Sequence, residues 1–216
     1  MNLLVLNPNS SPGMTAQAVD AVHHVTGDRV QARGVTAIQG PPVVASRESF
    51  VAGAWAALET LKAERPSDGA VLLACFGDPG LAALREVSDV PVVGMAESAL
   101  LEAATIGKPF HILTAGLAWD AMLRETVRLH GCEPLLDGVT VLDTTGLSIS
   151  ADPQAHAQRV QAALDGIAAR GQPTCILGGT GFASMAGTLR YGGVLIDGLA
   201  AAARRALRLA EAAEAR

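Results

Sequence analysis

The chain alternates between short apolar runs and longer stretches in which apolar residues recur every three or four positions. The short runs predict strands at Asn2–Leu6, Val30–Thr36, Ala70–Ala74, Val90–Val93, Phe110–Thr114, Val139–Leu142, Thr174–Leu177 and Gly193–Ile196. Several are apolar at every position, as parallel strands covered on both faces are. The stretches between them predict helices at Met14–Val25, Ser49–Glu64, Glu97–Ile106, Ala118–His130, Pro153–Arg170 and Asp197–Glu214. Strand and helix in steady alternation predict an α/β fold built on parallel sheet. Ligands of such sheets gather beyond the carboxyl ends of the strands.

The two halves echo one another. Leu73-Ala74-Cys75-Phe76-Gly77 and Leu177-Gly178-Gly179-Thr180-Gly181 are each an apolar strand end running into a glycine turn. Each lies at a similar distance from the first strand of its half and from the strand that follows. Any two β/α units share some of this spacing, which leaves a generic likeness open. Read as a true repeat, it predicts two pseudo-symmetric lobes, each a small parallel sheet flanked by helices, with the functional site in the cleft between them. The expected division is residues 1–97 plus 193–216 for the first lobe and 98–192 for the second, the last helix packing back on the first.

Composition narrows the partners. Hydrophobic residues make up 50% of the 216 and charged residues 17%, which excludes a disordered chain. The net charge is -5 without a basic block, and aromatics are 3%, which makes nucleic acid and anionic membrane poor partners. No run reaches the roughly 18 apolar residues of a membrane span. The opening residues lack the basic start of a secretory signal, and Cys75, Cys132 and Cys175 are an odd set without metal-site spacing. The expectation is a reduced, cytoplasmic protein with no metal.

Four segments could carry chemistry. Asn7-Pro8-Asn9-Ser10-Ser11-Pro12 joins the first strand to a helix and offers N-capping side chains and free amides. Ala74-Cys75-Phe76-Gly77-Asp78-Pro79-Gly80 places a cysteine at the carboxyl end of a buried strand. A helix start nearby would lower its pKa from about 8.5 and favour the thiolate, a base or nucleophile; a buried structural cysteine is the other reading. Asp78 could cap the following helix, and Glu97 the next, or reach the cleft. Gly178-Gly179-Thr180-Gly181 is glycine-rich but lacks the Lys-Ser/Thr ending of a phosphate loop and the spacing of a dinucleotide fingerprint. His111 reads as a core or edge histidine, Cys175 as core and Cys132 as a loop position.

These residues resemble the aspartate/glutamate/hydantoin racemase superfamily, within it the hydantoin and allantoin racemase branch. The resemblance rests on Asn7-Pro8-Asn9-Ser10-Ser11 with Met14-Thr15 and on Ala74-Cys75-Phe76-Gly77-Asp78-Pro79-Gly80-Leu81 with Arg85-Glu86. It continues through Pro91-Val92-Val93-Gly94-Met95-Ala96-Glu97 and ends at Ile196-Asp197-Gly198. It implies two lobes, no cofactor, no metal, a homo-oligomer, and two thiols facing opposite sides of a carbon acid. This sequence departs from that pattern at Gly179, which stands where the second thiol would be. Cys75 is then the catalytic thiol, and Thr180, directly or through a water, the substitute proton donor. Single-faced decarboxylation, covalent isomerase or lyase chemistry at Cys75, and a ligand-binding protein without catalysis are the alternatives. Substrate contacts are expected from Asn9, Ser10, Ser11, Phe76, Gly77, Thr114, Gly116, Gly179 and Gly181. None of these turns carries an arginine, which favours a cyclic ureide over an amino-dicarboxylate.

Overall fold

The computed structural model describes residues 1–214. Two four-stranded sheets, parallel throughout, make up the framework. The first contains β1 (Asn2–Asn7), β2 (Gln31–Thr36), β3 (Ala70–Leu73) and β4 (Val92–Gly94) in the order β2-β1-β3-β4. The second contains β5 (Phe110–Ala115), β6 (Leu136–Leu142), β7 (Thr174–Gly178) and β8 (Val194–Asp197) in the order β6-β5-β7-β8. The identical order makes the sequence echo a spatial one. Strands β3, β5 and β7 are buried at every position, and β3 reads as an unbroken apolar run for that reason.

Among the described residues eight α-helices flank the sheets: α1 (Pro12–Thr26), α2 (Arg47–Glu64), α3 (Leu81–Val87), α4 (Met95–Ile106), α5 (Trp119–Leu129), α6 (Gly146–Ala151), α7 (Pro153–Ala169) and α8 (Gly198–Glu214). Their starts are chemically marked. Ser11 caps α1 with Pro12 in its first turn, Ser46 and Ser49 form a reciprocal capping box on α2, and Asp197 accepts from Leu199 N and Ala200 N at the head of α8. Helices α3 and α6 leave no periodic signature in the chain because each is under two turns, too short to display an apolar stripe.

The stretch 193–216, expected in the first lobe, divides. Strand β8 pairs with β7 and so belongs to the second sheet, because its register with Thr174–Leu177 continues the parallel ladder. Helix α8 crosses back to pack on α1, α4, β3 and β4. Its Ala202, Ala203 and Ala206 are fully buried, as are Ala99 and Ala103 of α4, and side chains this small let the two helices approach closely. The alanine-rich composition therefore serves the contact that binds the lobes. Among the described residues no helix is long and apolar enough to cross a membrane.

The lobes also interlock through Phe76. Its ring occupies the space where Gly178 and Gly198 lack side chains: a Cβ on Gly178 would lie 2.7 Å from the ring and one on Gly198 2.9 Å. Gly178→Ala should therefore overpack the junction and destabilise the fold by about 1–3 kcal/mol. The midpoint of chemical denaturation reads this directly; an unchanged midpoint would mean that Phe76 does not hold the lobes together.

Candidate active site

The carboxyl ends of the two sheets face each other, and the turns that leave them enclose a narrow cavity. Asn9 and Met14 line it from the first lobe, with Val43–Ala45 and Ala74, Cys75 and Phe76. The second lobe contributes Thr114, Ala115, Trp119, Thr145 and Gly146, together with Gly178–Phe182. Its volume is about 50 Å³. Ligand pockets run to roughly 300–1,000 Å³, so a substrate has to part the segments that line this one.

Leu6 of β1 is aligned with Leu73 of β3, and Leu113 of β5 with Leu177 of β7. One step further Ala74 N donates to Leu6 O, while Thr114 is aligned with Gly178. Setting Leu6 against Leu113 as matching positions of the two first strands makes Ala74 the counterpart of Gly178, and Cys75 that of Gly179. Gly179 has room for a side chain, since a Cβ there would meet only the Phe182 ring at 3.4 Å, but its φ of +154° is one that residues other than glycine rarely adopt.

Cys75 is the sole titratable side chain among the described residues lining the cavity. Burial pushes its pKa up well above the ordinary thiol value, and the charge of Asp78 pushes it further the same way. This reverses the expectation that a nearby helix start lowers it. Cys75 does not stand at a helix start: Asp78 N donates to Cys75 O at 3.1 Å to close a turn, and α3 begins only at Leu81. The nearest free helix end, that of α4, is already filled by the Asp78 carboxylate. The resting group is a neutral thiol.

The polar groups around it are mostly committed. Thr180 Oγ1 donates to the Ala74 carbonyl at 2.9 Å and lies 3.5 Å from Met95 Sδ. Thr114 Oγ1 donates to the Gly178 carbonyl at 2.6 Å. Asn9 Oδ1 accepts from Asn7 Nδ2 and Ser11 N, which aims its amide; Nδ2 is left with the weak acceptor Met14 Sδ at 3.6 Å and so retains donor capacity. Residues Thr180–Phe182 form a 3₁₀ turn, whose opening amides have no acceptor within the turn.

Of the residues singled out in the sequence, Asn9, Cys75, Phe76, Thr114, Gly179, Thr180 and Gly181 line the cavity. Four do not. Ser11 Oγ is taken up capping α1 and accepts from Met14 N, and Ser10 N donates to Pro41 O. Trp119 covers the space over Gly77 and Gly116, its ring 2.5 Å and 3.0 Å from where their Cβ atoms would be. Glu97 turns away from the cleft: burial alone would raise its pKa, but Arg85 and Arg205 pull it below its ordinary value in an ion triad. Asp78 caps α4 and not the adjacent α3. His111 sits near the amino end of β5 between Asp137 Oδ2 and Thr140 Oγ1, remote in register from the cavity end of its own strand. The Val43–Ala45 segment, Trp119 and Thr145 are lining residues that the sequence left unmarked. An apolar pair inside a Gly-Pro-Pro loop and a threonine N-cap were the available signals.

The sequence pattern of the Asp/Glu/Hydantoin racemase family matches residues 3–206. A hydantoin racemase of Paenarthrobacter aurescens is 32% identical over 210 residues, covering 94% of this chain and 89% of that protein. A hydantoin racemase of Rhizobium meliloti is 29% identical over 212 residues, covering 95% and 87%. Among solved structures, an allantoin racemase from Klebsiella pneumoniae superposes with a TM-score of 0.92 at 27% identity, covering 99% of this chain and 89% of that one.

The raised pKa of Cys75 has a chemical consequence. At neutral pH the buried thiol holds less thiolate than a free cysteine, tenfold less for every 1.4 kcal/mol or so by which its surroundings disfavour the charge. Alkylation of Cys75 by iodoacetamide, followed by mass spectrometry of the intact chain, should be more than about tenfold slower at pH 7 than that of a free thiol and still climb above pH 9. A rate that levels off below pH 8 would contradict the burial argument.

Proposed function

The chain belongs to the Asp/Glu/hydantoin racemase family as an isomerase of the racemase type, and on that premise we propose that it moves a proton at a carbon next to the carbonyl of a cyclic ureide, with Cys75 as the acid–base group. The observation that carries the reading is the lone titratable side chain in the cavity, on the strand end where α/β sheets place their ligands. The described lining holds no arginine or lysine. A neutral ring with carbonyl and amide edges matches it better than a dicarboxylate, whose charges would be buried unpaired. The names of the similar hydantoin and allantoin racemases point the same way.

The chemistry follows from the geometry. Once ionised, a thiol with a raised pKa is a stronger base, better matched to a weak carbon acid, at the expense of a smaller ionised fraction. The Asn9 amide and the opening amides of the Thr180–Phe182 turn are the donors available to the oxygen on which enolate charge develops. The scheme calls on no cofactor. Cys75 can return the proton to the face from which it came. Racemisation needs a proton on the opposite face, where Gly179 has none to give and the Thr180 hydroxyl must first leave the Ala74 carbonyl. Racemisation through Thr180 or a water is the leading outcome; proton transfer confined to one face is the second, and the Cys75–Gly179 pairing is what favours it.

Incubating single enantiomers of several hydantoins and of allantoin in deuterium oxide distinguishes the two. Isotope exchange with loss of optical rotation supports the racemase; exchange with rotation retained supports one-faced chemistry; no exchange with any ureide overturns both. Cys75→Ala should lower the exchange rate by on the order of 10²–10⁴-fold, and full activity in that variant would exclude a thiol mechanism.

Gly179→Cys should raise racemisation relative to exchange. The +154° backbone makes it cost about 1–3 kcal/mol of stability, measured by thermal unfolding. An unchanged ratio in folded protein would count against a missing second thiol.

A further inference from the structure

We propose that Asp78 is a positioning residue for Cys75: its carboxyl group, lodged in the amino end of α4, fixes the Ala74–Asp78 turn against the second lobe and, when ionised, sets a negative charge beside the thiol. The inference rests on the reading of Cys75 as the acid–base group.

The placement is built at some expense. Asp78 has φ +57°, the left-handed region that non-glycine residues avoid. Its carboxylate is buried, with Oδ1 accepting from Ala96 N at 3.0 Å and Oδ2 from Glu97 N at 2.8 Å. It fits only because residue 94 is glycine: a Cβ there would lie 2.4 Å from both Cγ and Oδ2 of Asp78. A serine or threonine at the N-cap position itself would cap α4 with none of these demands. What they secure is a closed ring of contacts. Asp78 N holds the Cys75 carbonyl, Asp78 holds the start of α4, the first residue of α4 is Met95, Met95 Sδ meets Thr180 Oγ1, and Thr180 Oγ1 returns to the carbonyl of Ala74 beside Cys75. The two opposing faces of the cavity are thereby held by one chain of contacts in which Asp78 is the charged link.

The charge acts on the thiol as well. Cys75 lies on the same turn and is driven up by Asp78 after burial has already raised it. Burial pushes Asp78 itself up to about 7 against the pull of the Glu97 and Ala96 amides. From the other elements, Glu97 of α4 is the charge that faces it, and Arg85 of α3 and Arg205 of α8 hold Glu97 in turn. His130, at the end of α5, lies near that triad and is lowered chiefly by burial. Removing the Asp78 charge must therefore make Cys75 easier to ionise.

Two variants separate geometry from charge. Asp78→Asn keeps an acceptor for α4 but no charge. Gly94→Ala keeps the charge and displaces the carboxylate. For Asp78→Asn the expected result is a kcat lower by on the order of 10–100-fold with KM within about twofold. Its iodoacetamide alkylation profile at Cys75 should move about one pH unit lower. Gly94→Ala should lower kcat similarly and shift the alkylation profile less. Unfolding midpoints confirm that both variants are folded. Unchanged kcat, or an unchanged alkylation profile, in folded Asp78→Asn overturns the proposal. The alkylation measurement stands whether or not Cys75 turns over substrate, so a fully active Cys75→Ala would sink the thiol mechanism without being confused with a failure of Asp78.

Discussion

The cleft depends on how one turn is held. Residues Ala74–Asp78 leave the buried end of β3 and are gripped from three sides: Phe76 is wedged against Gly178 and Gly198, the Ala74 carbonyl accepts from Thr180, and Asp78 is driven into α4. Each grip comes from a different part of the chain. The relative position of the lobes and that of the thiol are consequently the same structural problem. A cavity of about 50 Å³ leaves little tolerance for error in either.

The same burial that makes this turn rigid opposes the ionisation of Cys75. The thiol proposed as the base shares its cavity with Phe76, Trp119, Phe182 and Met14; Asp78 is the charge that acts on it, and the described lining holds no cation. Each tenfold loss of thiolate corresponds to about 1.4 kcal/mol, so stabilising the charged form is a large part of what a bound substrate and its surrounding amides must supply. The neutral donors of the site are suited to that task, because they can favour charge on a reacting oxygen without fixing a counter-charge in the empty cleft.

Much of the architecture was legible in the chain because parallel strands buried on both faces write themselves as unbroken apolar runs, and long helices as periodic ones. Cys75 and Gly179, paired in the sequence by their matching strand ends, both line the cavity. Local reasoning erred where a residue's partner lies far along the chain. Asp78 looked like a cap for the helix beside it, yet its carboxylate serves a helix starting at Met95; β8 was assigned to the lobe that its following helix covers. Ser11 read as a binding residue, although its hydroxyl is spent on the first turn of α1.

Spacing along the chain was enough for the α/β class and the cysteine at a strand end, and it offered the twofold repetition that the matching strand orders then showed. It took the closed fold to show that this cysteine rests as a thiol, that α4 and Thr180 grip the two ends of its turn, and that tryptophan rather than solvent covers two of the expected turns. Desolvation, and contacts such as that of Thr180 with Ala74, 106 residues apart, exist only once the lobes have closed on each other.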